Sequence, residues 1–425
     1  MKRGIKMWHF LLFMWIIILL LRFELLLNTY KLIFAWIILL FNNSGTALSQ
    51  LNFDLFDSLF SGVIFIVIPI LFFIYRRKLD FLYEKIFPAS FFLILLIACF
   101  LFAPLVSNKN PDFYKNIGTT KLLPPMSTVR VLHFKIKSTQ PQNSFFSLKD
   151  KVVKKSFNES IQFIDSVSVG EEIIYYQNNV GKEADRNDLV MEGRNPYITK
   201  QIFLLGSDQF GRDVLARLIY GARISLTVGF GSVIISLLIG LTFGFLAGYI
   251  GGFLDVIFSR FTDMLLSFPI IFLVILILAL FGNSLLSVIM VLGFSGWMSL
   301  FKIVKTEVLS IKEKNYFISS RLLGLSKRQL LIKEVLPVII VPVIVNVIFQ
   351  FGNVIIAESA LSYLGLGLGN NHSSWGAMIQ SGQEYLSLAW WMIFFPGITL
   401  IFTLLSANSF GLSLSRKLNP RLQND

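Results

Sequence analysis

The sequence predicts an all-α integral membrane protein, and two observations support this fold class. Of the 425 residues, 55% are hydrophobic and only 15% are charged, which is less charge than a soluble domain carries. The apolar residues also gather in stretches of about 20, the length that an α-helix needs to cross the hydrocarbon core. Seven clear stretches are predicted spans: 58–75, 87–106, 224–246, 264–281, 285–304, 335–356 and 388–411.

The region 8–41 is apolar as well. Four polar residues interrupt it: Arg22, Glu24, Asn28 and Lys31. The uninterrupted runs have about 14 and 10 residues, each too short for a comfortable span. We therefore predict one long or partly interfacial helix that crosses once, which makes eight spans in all. A cleavable signal peptide is the alternative, because basic residues precede the apolar region and 47–49 resembles a cleavage site. Against it, the apolar region exceeds the usual length of about 7–15 residues.

The distribution of Lys and Arg predicts the orientation, because cytoplasmic segments carry an excess of these residues. The densest cluster outside the spans lies in 302–333, and smaller clusters lie near both termini and after the span 58–75. The clusters consist of Lys2, Arg3, Lys6, Arg76, Arg77, Lys78, Lys302, Lys305, Lys312, Lys314, Arg321, Lys327, Arg328, Lys333, Arg416, Lys417 and Arg421. Both termini are therefore predicted to be cytoplasmic.

Between 107 and 204 the composition becomes polar and charged. Residues 129–136 alternate between apolar and polar side chains, which predicts a β-strand. We expect this segment to form a small extracytoplasmic α/β insertion. Its basic character is compatible with that location, because long loops are translocated largely regardless of charge.

Residue counts argue against several kinds of chemistry. Cys99 is the one cysteine, so neither a disulfide nor a cysteine-based metal site can form within one chain. His9, His133 and His372 are scattered without a ligand cluster, so no metal site is predicted. No G-x-x-x-x-G-K-[ST] motif occurs, so we do not expect the chain to bind ATP phosphates by that loop. The net charge of +13 lies largely beside apolar runs, which favours membrane anchoring over nucleic-acid binding.

The second half contains an ordered set of motifs. The longest blocks are 205–217 and 220–226, and shorter ones follow at 248–252, 267–269, 296–297, 358–367, 374–376, 395–397 and 419–421. This set resembles the second permease subunit of ATP-binding-cassette importers of the oligopeptide, dipeptide and nickel type. The resemblance covers about 87–425 and leaves 1–86 and most of 107–204 unmatched.

The resemblance implies a fold and a division into domains. The expected fold is the six-span core of a type I importer permease, with about two extra N-terminal spans and the insertion. The expected boundaries are an N-terminal membrane extension at 1–86, the first core span at 87–106, the insertion at 107–204, and the permease core at 205–425 with a cytoplasmic coupling loop at 306–334.

The resemblance also implies a transport function. The chain would carry peptides, or a small solute such as nickel, across the inner membrane as a permease subunit without catalytic residues or a cofactor of its own. Its expected partners are a homologous permease, two cassette ATPases that hydrolyse ATP, and an extracytoplasmic binding protein. An ion-coupled secondary transporter and an intramembrane hydrolase are the alternatives. The first would need acids at mid-membrane, and the second would need a nucleophile paired with a suitable base.

The segment 315–337 is the predicted coupling element. Gly324 and Pro337 stand 13 residues apart, with Leu336 before the proline, as in the loop by which this family engages its ATPase. Local chemistry independently predicts two short helices, because Gly324 can end the first and Ser326 can cap the second in a capping box with Gln329. Pro337 would then start the next span. The alternative is a loop that merely connects two spans.

The residues assigned to coupling are Tyr316, Ile318, Ser319, Ser320, Gly324, Ser326, Leu336 and Pro337. The family usually has Glu-Ala-Ala where this chain has Ile318-Ser319-Ser320. The small size is therefore kept but the carboxylate is lost, and no ion pair from that Glu can be transferred to this chain. Leu323, next to Gly324, belongs to the same expected docking surface.

The resemblance also marks an extracytoplasmic motif. Its residues are Asp208, Gly211, Arg212, Asp213, Arg217 and Glu358. The charged residues of 208–217 are predicted to form a structural ion-pair set, with a direct substrate role as the alternative. Glu358 is predicted to hold the external segment 359–387 by hydrogen bonds, with proton transfer as the alternative. Finally, 240–248 contains two G-x-x-x-G steps, which predict close helix packing within the subunit.

Overall fold

A computed structural model describes the protein at residues 7–50, 53–75, 88–107, 109–135, 144–153, 160–170, 172–367 and 373–418. The chain divides into two compact units. The first consists of Met1–Phe87, Ile94–Arg223 and Ser381–Pro396, and the second of Pro88–Leu93, Ile224–Gln380 and Gly397–Asp425. Predictions that concern the following residues lie outside the described part of the chain: Lys2, Arg3, Lys6, Arg76, Arg77, Lys78, His372, Asn419, Pro420 and Arg421.

The N-terminal helices of the described chain are α1 (Met7–Leu21), α2 (Phe23–Asn42), α3 (Ser44–Ser49), α4 (Phe53–Tyr75) and α5 (Pro88–Val106). The single helix predicted for 8–41 is in fact two helices, because the backbone at Arg22 leaves helical geometry with φ −120° and ψ 21°. The Arg22 guanidinium donates to the carbonyl oxygen of Val106 at 3.0 Å. This bond gives the cation a partner that lipid cannot supply.

A proline explains how α1 packs on α4. Pro69 lies inside α4 and has no N–H, so the carbonyl group of Phe65 lacks its usual helical donor. The indole Nε1 of Trp15 donates to that carbonyl oxygen at 3.0 Å, and its ring stacks on the Phe65 ring with centroids 5.2 Å apart. Because Pro69 provides no donor, the Phe65 carbonyl is free to accept the bond from Trp15 that attaches α1 to α4.

The insertion is a small α/β domain, as predicted. Strand β1 (Ser127–His133) lies between β2 (Ile161–Ile164) and β8 (Ile198–Phe203) in an antiparallel sheet, with Val131 opposite Phe163 and Thr199. The predicted strand at 129–136 is thus present within its described residues. The remaining elements are β3 (Ser166–Val169), β4 (Ile173–Gln177) and β5 (Val180–Ala184) in a second sheet, the hairpin β6 (Met191–Glu192) and β7 (Asn195–Pro196), α6 (Ile117–Thr120) and α7 (Ser144–Val153).

From Val214 onward the described chain is helical. Its helices are α8 (Val214–Ile250), α9 (Gly252–Leu266), α10 (Ile270–Phe281), α11 (Leu285–Lys312), α12 (Asn315–Leu322), α13 (Lys327–Leu330), α14 (Leu336–Tyr363), α15 (Trp375–Gln383) and α16 (Trp391–Leu418).

Length and composition identify the helices that can cross a membrane. Within the described ranges five helices qualify, and a sixth span is possible if α9 and α10 count as one. The five are Phe23–Asn42, Val214–Ile250, Leu285–Lys312, Lys327–Tyr363 and Trp391–Arg416. Three of the apolar segments are shorter: Leu11–Leu21, Leu55–Leu71 and Phe91–Val106. The predicted class of helical membrane protein is confirmed, although the eight predicted spans exceed the five or six that this criterion accepts.

The predicted span 264–281 is not one straight helix. Helices α9 and α10 meet at an angle of 89°. Pro269 precedes α10 in an extended conformation, with φ −61° and ψ 118°, and cannot donate to the preceding turn. The proline therefore marks a bend, and α10 has only 12 residues.

The two G-x-x-x-G steps of α8 pack against α11, as predicted. A side chain at Gly244 would place its Cβ 2.8 Å from the Phe301 carbonyl oxygen, and Gly240 and Gly248 approach α11 equally closely. Real Cβ atoms essentially never come this near, so glycine is required for the contact.

Candidate functional site

The predicted break and cap of the coupling segment are both present. Helix α12 ends at Leu322, and Gly324 follows with φ +83°, a left-handed conformation that favours glycine. Ser326 then caps α13. Its Oγ accepts from the Gln329 backbone N–H at 3.3 Å, and the Gln329 side chain accepts from the Ser326 N–H at 2.9 Å.

The second helix of the pair does not end before the next candidate span begins. A π-helical stretch, Leu331–Val335, joins α13 directly to α14, so the prediction of a separate second helix is wrong. Pro337 lies in the first turn of α14, as predicted, and its ring would clash with the carbonyl four residues earlier in a regular helix. The wider π-helical turn relieves that clash. The coupling segment is therefore continuous with a span.

Two buried side chains attach the helix pair to the bundle. Phe317 of α12 is 4% exposed and Leu330 of α13 is 3% exposed, and both pack with Val308, Ile311 and Val335. Because the anchors come from both helices, the pair can move with the ends of α11 and α14.

The outer surface of the pair is apolar. Leu322 and Leu323 are 82% and 81% exposed, and Tyr316 and Ile318 are also exposed. Leucine side chains this open to water indicate an interaction surface. We call these four residues the coupling surface. Leu322 was missed in the sequence, although its place one residue before Leu323 in the last turn of α12 could have revealed it.

A hydrogen bond joins the two helices of the pair. Ser320 Oγ donates to Glu334 Oε1 at 2.9 Å. Burial, and then the charge of Glu334, raise the pKa of the Tyr316 phenol. Ile318 stands where the family pattern has Glu, and the Glu334 carboxylate lies in the π-helical stretch that follows α13. The sequence did not single out Glu334, because its partner lies 14 residues away.

The C-terminal end of α8 contacts the same segment. Lys312 Nζ donates to the carbonyl oxygens of Gly248 and Tyr249 at 3.2 Å and 3.1 Å, where a helix C-terminus favours a cation. The Tyr249 hydroxyl donates to the Lys327 carbonyl oxygen at 3.3 Å. The chain thus links α8, α11 and the helix pair by polar contacts in addition to the apolar core.

The charged residues of the extracytoplasmic motif form the predicted ion-pair set. Asp208 Oδ2 accepts from Arg212 Nε at 2.7 Å and from an Arg217 guanidinium N–H at 2.6 Å. Its Oδ1 accepts the backbone N–H groups of Phe210 and Arg212, each at 2.9 Å. Asp208 is 2% exposed and Arg217 is 1% exposed. This buried set of charge-assisted hydrogen bonds indicates a structural function.

Asp213 and Gly211 complete this arrangement. Asp213 Oδ1 accepts the Ala216 N–H at 2.9 Å and so caps α8, while Oδ2 pairs with Lys109. Burial lowers the pKa of the Lys109 ammonium group, and Asp213 acts in the opposite direction. Gly211 has φ +79° and lies against Thr120, so a side chain there would be strained and would overlap.

Arg223, in the adjacent family block, is held by the N-terminal extension. It pairs with Asp57 of α4 and donates to Ser61 Oγ at 3.2 Å. Pro104 removes the helical donor for the Phe100 carbonyl, and Arg223 Nε donates to that oxygen at 2.7 Å. Sequence analysis missed this site, because 1–86 has no family pattern to compare.

Glu358 is 1% exposed and accepts hydrogen bonds from serine hydroxyl groups. Ser362 Oγ donates at 2.9 Å and Ser225 Oγ at 3.3 Å, and Ser225 Oγ in turn accepts the Trp375 backbone N–H at 3.3 Å. The carboxylate is thus connected to the start of α15, which lies within the segment 359–387. Glu358 lies 22 residues from Leu336 along α14, about 33 Å, so it does not belong to the coupling element.

Two acids of α9 are paired with lysines of α11. Lys305 lies 2.5 Å from Asp255, and Lys302 lies 3.0 Å from Asp263. The long apolar helices define a multi-pass membrane protein, and these contacts pair four of its charges.

Comparisons with known proteins identify the family. Residues 240–424 match the binding-protein-dependent transport system inner membrane component. The chain is 35% identical over 222 residues to the di/tripeptide transport system permease protein DppC of Pseudomonas aeruginosa, covering 52% of this chain and 73% of that protein. It is 37% identical over 216 residues to the oligopeptide transport system permease protein OppC of Haemophilus influenzae, covering 51% and 70%.

Dipeptide transport system permease protein DppC of Bacillus subtilis is 38% identical over 219 residues, covering 51% of this chain and 68% of that protein. Among solved structures, inward-facing conformations of the MetNI methionine ABC transporter are similar with 17% identity and a TM-score of 0.42, covering 48% of this chain and 97% of that one.

The chain belongs to the family of binding-protein-dependent transport permeases, in the DppC and OppC group. It is a multi-pass inner-membrane permease subunit of an ATP-binding-cassette importer. Permeases of this family act with a partner permease, an ATPase and an external binding protein.

Proposed function

We propose that this permease imports peptides, and that its coupling surface transmits ATPase movement to the spans. The cargo proposal is supported by the names of its relatives, which are di/tripeptide, dipeptide and oligopeptide permeases. Nickel is the second candidate cargo that the sequence resemblance implies. Competition separates the two: uptake of a labelled dipeptide should be blocked by unlabelled peptides and not by Ni²⁺. The reverse pattern would contradict the peptide proposal.

The coupling proposal rests on one observation. The coupling surface is exposed, whereas other side chains of the same two helices are buried in the core of the bundle. Leu322 and Leu323 face outward, while Phe317 and Leu330 join the core below. A groove on the ATPase that takes the leucines would bury their apolar area. Movement of that groove would then move α12 and, through the continuous helix after Lys327, the span α14.

The energy would come from two separate cassette ATPases, one of which engages this chain. This chain has no G-x-x-x-x-G-K-[ST] motif, so we assign ATP hydrolysis to the partners and no catalytic residue or cofactor to the permease. The purified permease alone should therefore show no ATP hydrolysis above background, and the assembled complex should hydrolyse ATP.

A double variant tests the coupling surface. Leu322→Ser with Leu323→Ser should weaken ATPase association at least tenfold and abolish transport, because burial of each leucine side chain in the interface would contribute about 1.5–3 kcal/mol. The matched control is Arg328→Ser, an exposed polar residue of the same segment. Equal ATPase association in the double variant and the control would contradict the proposal.

Gly324→Val should also reduce coupling, because a β-branched residue disfavours φ +83°.

We propose that the chain crosses the membrane with both termini in the cytoplasm. Its basis is the cluster of Lys and Arg in 302–333, which the structure places at the helix pair and the adjoining helix ends. In a Cys99→Ala background, Lys327→Cys should react with an impermeant thiol reagent only after permeabilisation, and Glu183→Cys should react in intact cells. The opposite pattern would invert the topology.

We assign the insertion to docking of the binding protein or the partner permease. Strand β5 exposes Lys182 and Glu183 at the edge of its sheet, and charged surfaces act mainly on encounter rate and specificity. Reversing both charges should reduce stimulation of ATP hydrolysis by loaded binding protein and leave basal hydrolysis unchanged. Unchanged stimulation would remove β5 from the docking surface.

A further inference from the structure

The sheet formed by β2, β1 and β8 in the insertion has an exposed region on one of its faces. Successive side chains of a strand point to opposite faces. Val129, Val131 and Phe203 point into one apolar cluster, whereas the residues of the other face are exposed toward the end of the ladder that is nearer to α8. Together with two exposed residues just beyond the ladder, they form what we call the outer strip, which consists of Met126, Thr128, Arg130, Lys200, Ile202 and Leu204.

One end of the outer strip is cationic. Arg130 and Lys200 lie directly opposite each other in the ladder, and both are exposed. Like charges in this position destabilise a sheet. Within the described part of the chain, neither cation has an acid within ion-pair distance. The pair therefore does not stabilise the fold, but one carboxylate from another molecule can accept hydrogen bonds from both side chains.

The other end of the outer strip is apolar. Met126, Ile202 and Leu204 are 68%, 49% and 46% exposed. Met126 has φ +65°, a left-handed conformation that strains the backbone of a residue with a long side chain. Its N–H donates to the Phe203 carbonyl oxygen at 2.9 Å, which fixes this loop at the end of β8. A group of exposed apolar side chains beside charged residues indicates an interaction surface.

The outer strip is connected to the start of a candidate span. Lys109 Nζ donates to the Ile202 carbonyl oxygen at 3.0 Å and pairs with Asp213, which caps α8. The Gly206 carbonyl oxygen, two residues after the strip, accepts the Val214 N–H of α8 at 3.1 Å. A partner bound to β8 is therefore linked to the N-terminus of α8 by side-chain and backbone bonds.

We propose that the outer strip docks the extracytoplasmic binding protein, with a carboxylate of that protein between Arg130 and Lys200 and apolar side chains on Met126 and Ile202. This inference rests on the docking function proposed for the insertion, and it assigns that function to a surface other than β5. Charge complementarity selects an acidic partner. Arg130 and Met126 are four residues apart, about 14 Å along the strand, so one protein surface can cover both ends. Arg and Met are also enriched in the centres of protein interfaces.

Two variants remove the two halves of the site. The assembled transporter is placed in nanodiscs, and association of its own peptide-loaded binding protein is measured together with the ATP hydrolysis that this protein stimulates. Arg130→Gln with Lys200→Gln should weaken association about tenfold or more and reduce its dependence on salt. Met126→Gly should weaken association about tenfold by loss of apolar burial, while glycine adopts φ +65° without strain. Basal ATP hydrolysis should not change in either variant.

Stability and matched controls separate docking from folding. The double Gln variant should unfold at the same temperature as the unaltered chain or at a higher one, because it removes a like-charge pair. A lower unfolding temperature would mean that the two cations stabilise the fold, and would overturn the proposal. Arg194→Gln and Val169→Gly change exposed residues elsewhere in the insertion and should leave association unchanged.

The remaining outcomes distinguish this proposal from the docking function on which it rests. If charge reversal on β5 reduces stimulation while both strip variants bind normally, the insertion docks the binding protein, but not through the outer strip. If none of these variants has an effect, docking by the insertion fails altogether. The proposal is also overturned if the strip variants lose the partner permease during purification, or lose a stimulation by phosphatidylglycerol, because the strip then contacts a subunit or lipid.

Discussion

The helices of the N-terminal extension and those of the permease core are joined in different ways. In the extension, side chains donate to backbone carbonyl groups: Trp15 to Phe65, Tyr30 to Gly62 and Arg22 to Val106. In the core, α8 and α11 meet through Gly240, Gly244 and Gly248, which let the two backbones approach. The core contact also contains side-chain bonds, from Ser232 to Ile289 and from Ser236 to Gly293, but its close backbone approach depends on the absence of side chains.

The difference follows from the physics of lipid. Apolar side chains gain little by leaving a hydrocarbon solvent, so helices must associate by close packing or by hydrogen bonds. Close packing needs small residues at regular spacing, which 240–248 provides. The extension lacks that pattern on α4 and instead uses bonds to carbonyl groups, one of which, that of Phe65, has been freed by Pro69. Polar substitutions should therefore affect the extension most, and bulky substitutions the core.

The largest effect is expected at the buried ion pair of the extension. Asp57→Ala leaves Arg223 without its carboxylate, and both side chains are at most 14% exposed. Removing one partner of a buried pair costs about 3–5 kcal/mol. The free energy of unfolding in mixed micelles measures this loss, with the exposed Glu183→Ala as control. Asp57→Ala combined with Arg223→Met should recover part of it, and no recovery would mean that the pair is not coupled.

A smaller loss is expected in the glycine contact of the core. Gly244→Ala places a Cβ 2.8 Å from the Phe301 carbonyl oxygen and from Val304 Cβ, so α8 and α11 must separate. Overpacking of this kind costs about 1–3 kcal/mol. Gly397→Ala is the matched control, because nothing lies within 4 Å of its added Cβ. Equal unfolding free energies for the two variants would contradict the close contact.

The next effect concerns the indole bond of the extension. Trp15→Phe keeps an aromatic ring against Phe65 but leaves the carbonyl that Pro69 has freed without its donor. Hydrogen bonds between membrane helices contribute about 0.6 kcal/mol on average and at most about 1.7. Trp390→Phe, at a half-exposed tryptophan, should have less effect. A Trp15→Phe variant as stable as that control would show that stacking alone attaches α1.

The smallest effect is expected outside the lipid. Ser320→Ala removes the bond to Glu334, but this site is only partly buried and water can replace the hydroxyl group. The expected cost is about 0.5 kcal/mol, at the low end for a hydrogen bond. Ser319→Ala is the neighbouring control. Transport per ATP hydrolysed should fall more for Ser320→Ala than for Ser319→Ala if the bond keeps the helix pair rigid, and equal values would remove that function.

The sequence by itself determined the features that depend on short spacing. Composition predicted the membrane class, Gly324 and Ser326 predicted the break and the cap, and the repeated glycines predicted the contact with a neighbouring helix. Each of these signals acts within a few residues, because capping, left-handed turns and helical periodicity are local properties of the backbone. The family pattern likewise pointed to the ion-pair set around Asp208, all of it within 208–217.

Only the tertiary structure decided which distant groups meet. Arg223 donates to Ser61, which lies 162 residues away in the sequence, and Arg22 donates to Val106, which lies 84 residues away. The break at Arg22, the π-helical turn before Pro337 and the bend at Pro269 also depend on neighbours that satisfy or displace backbone groups. A polar group in lipid must find a partner somewhere in the fold, but the sequence does not state which one, because many carbonyl groups are chemically equivalent until packing exposes one of them.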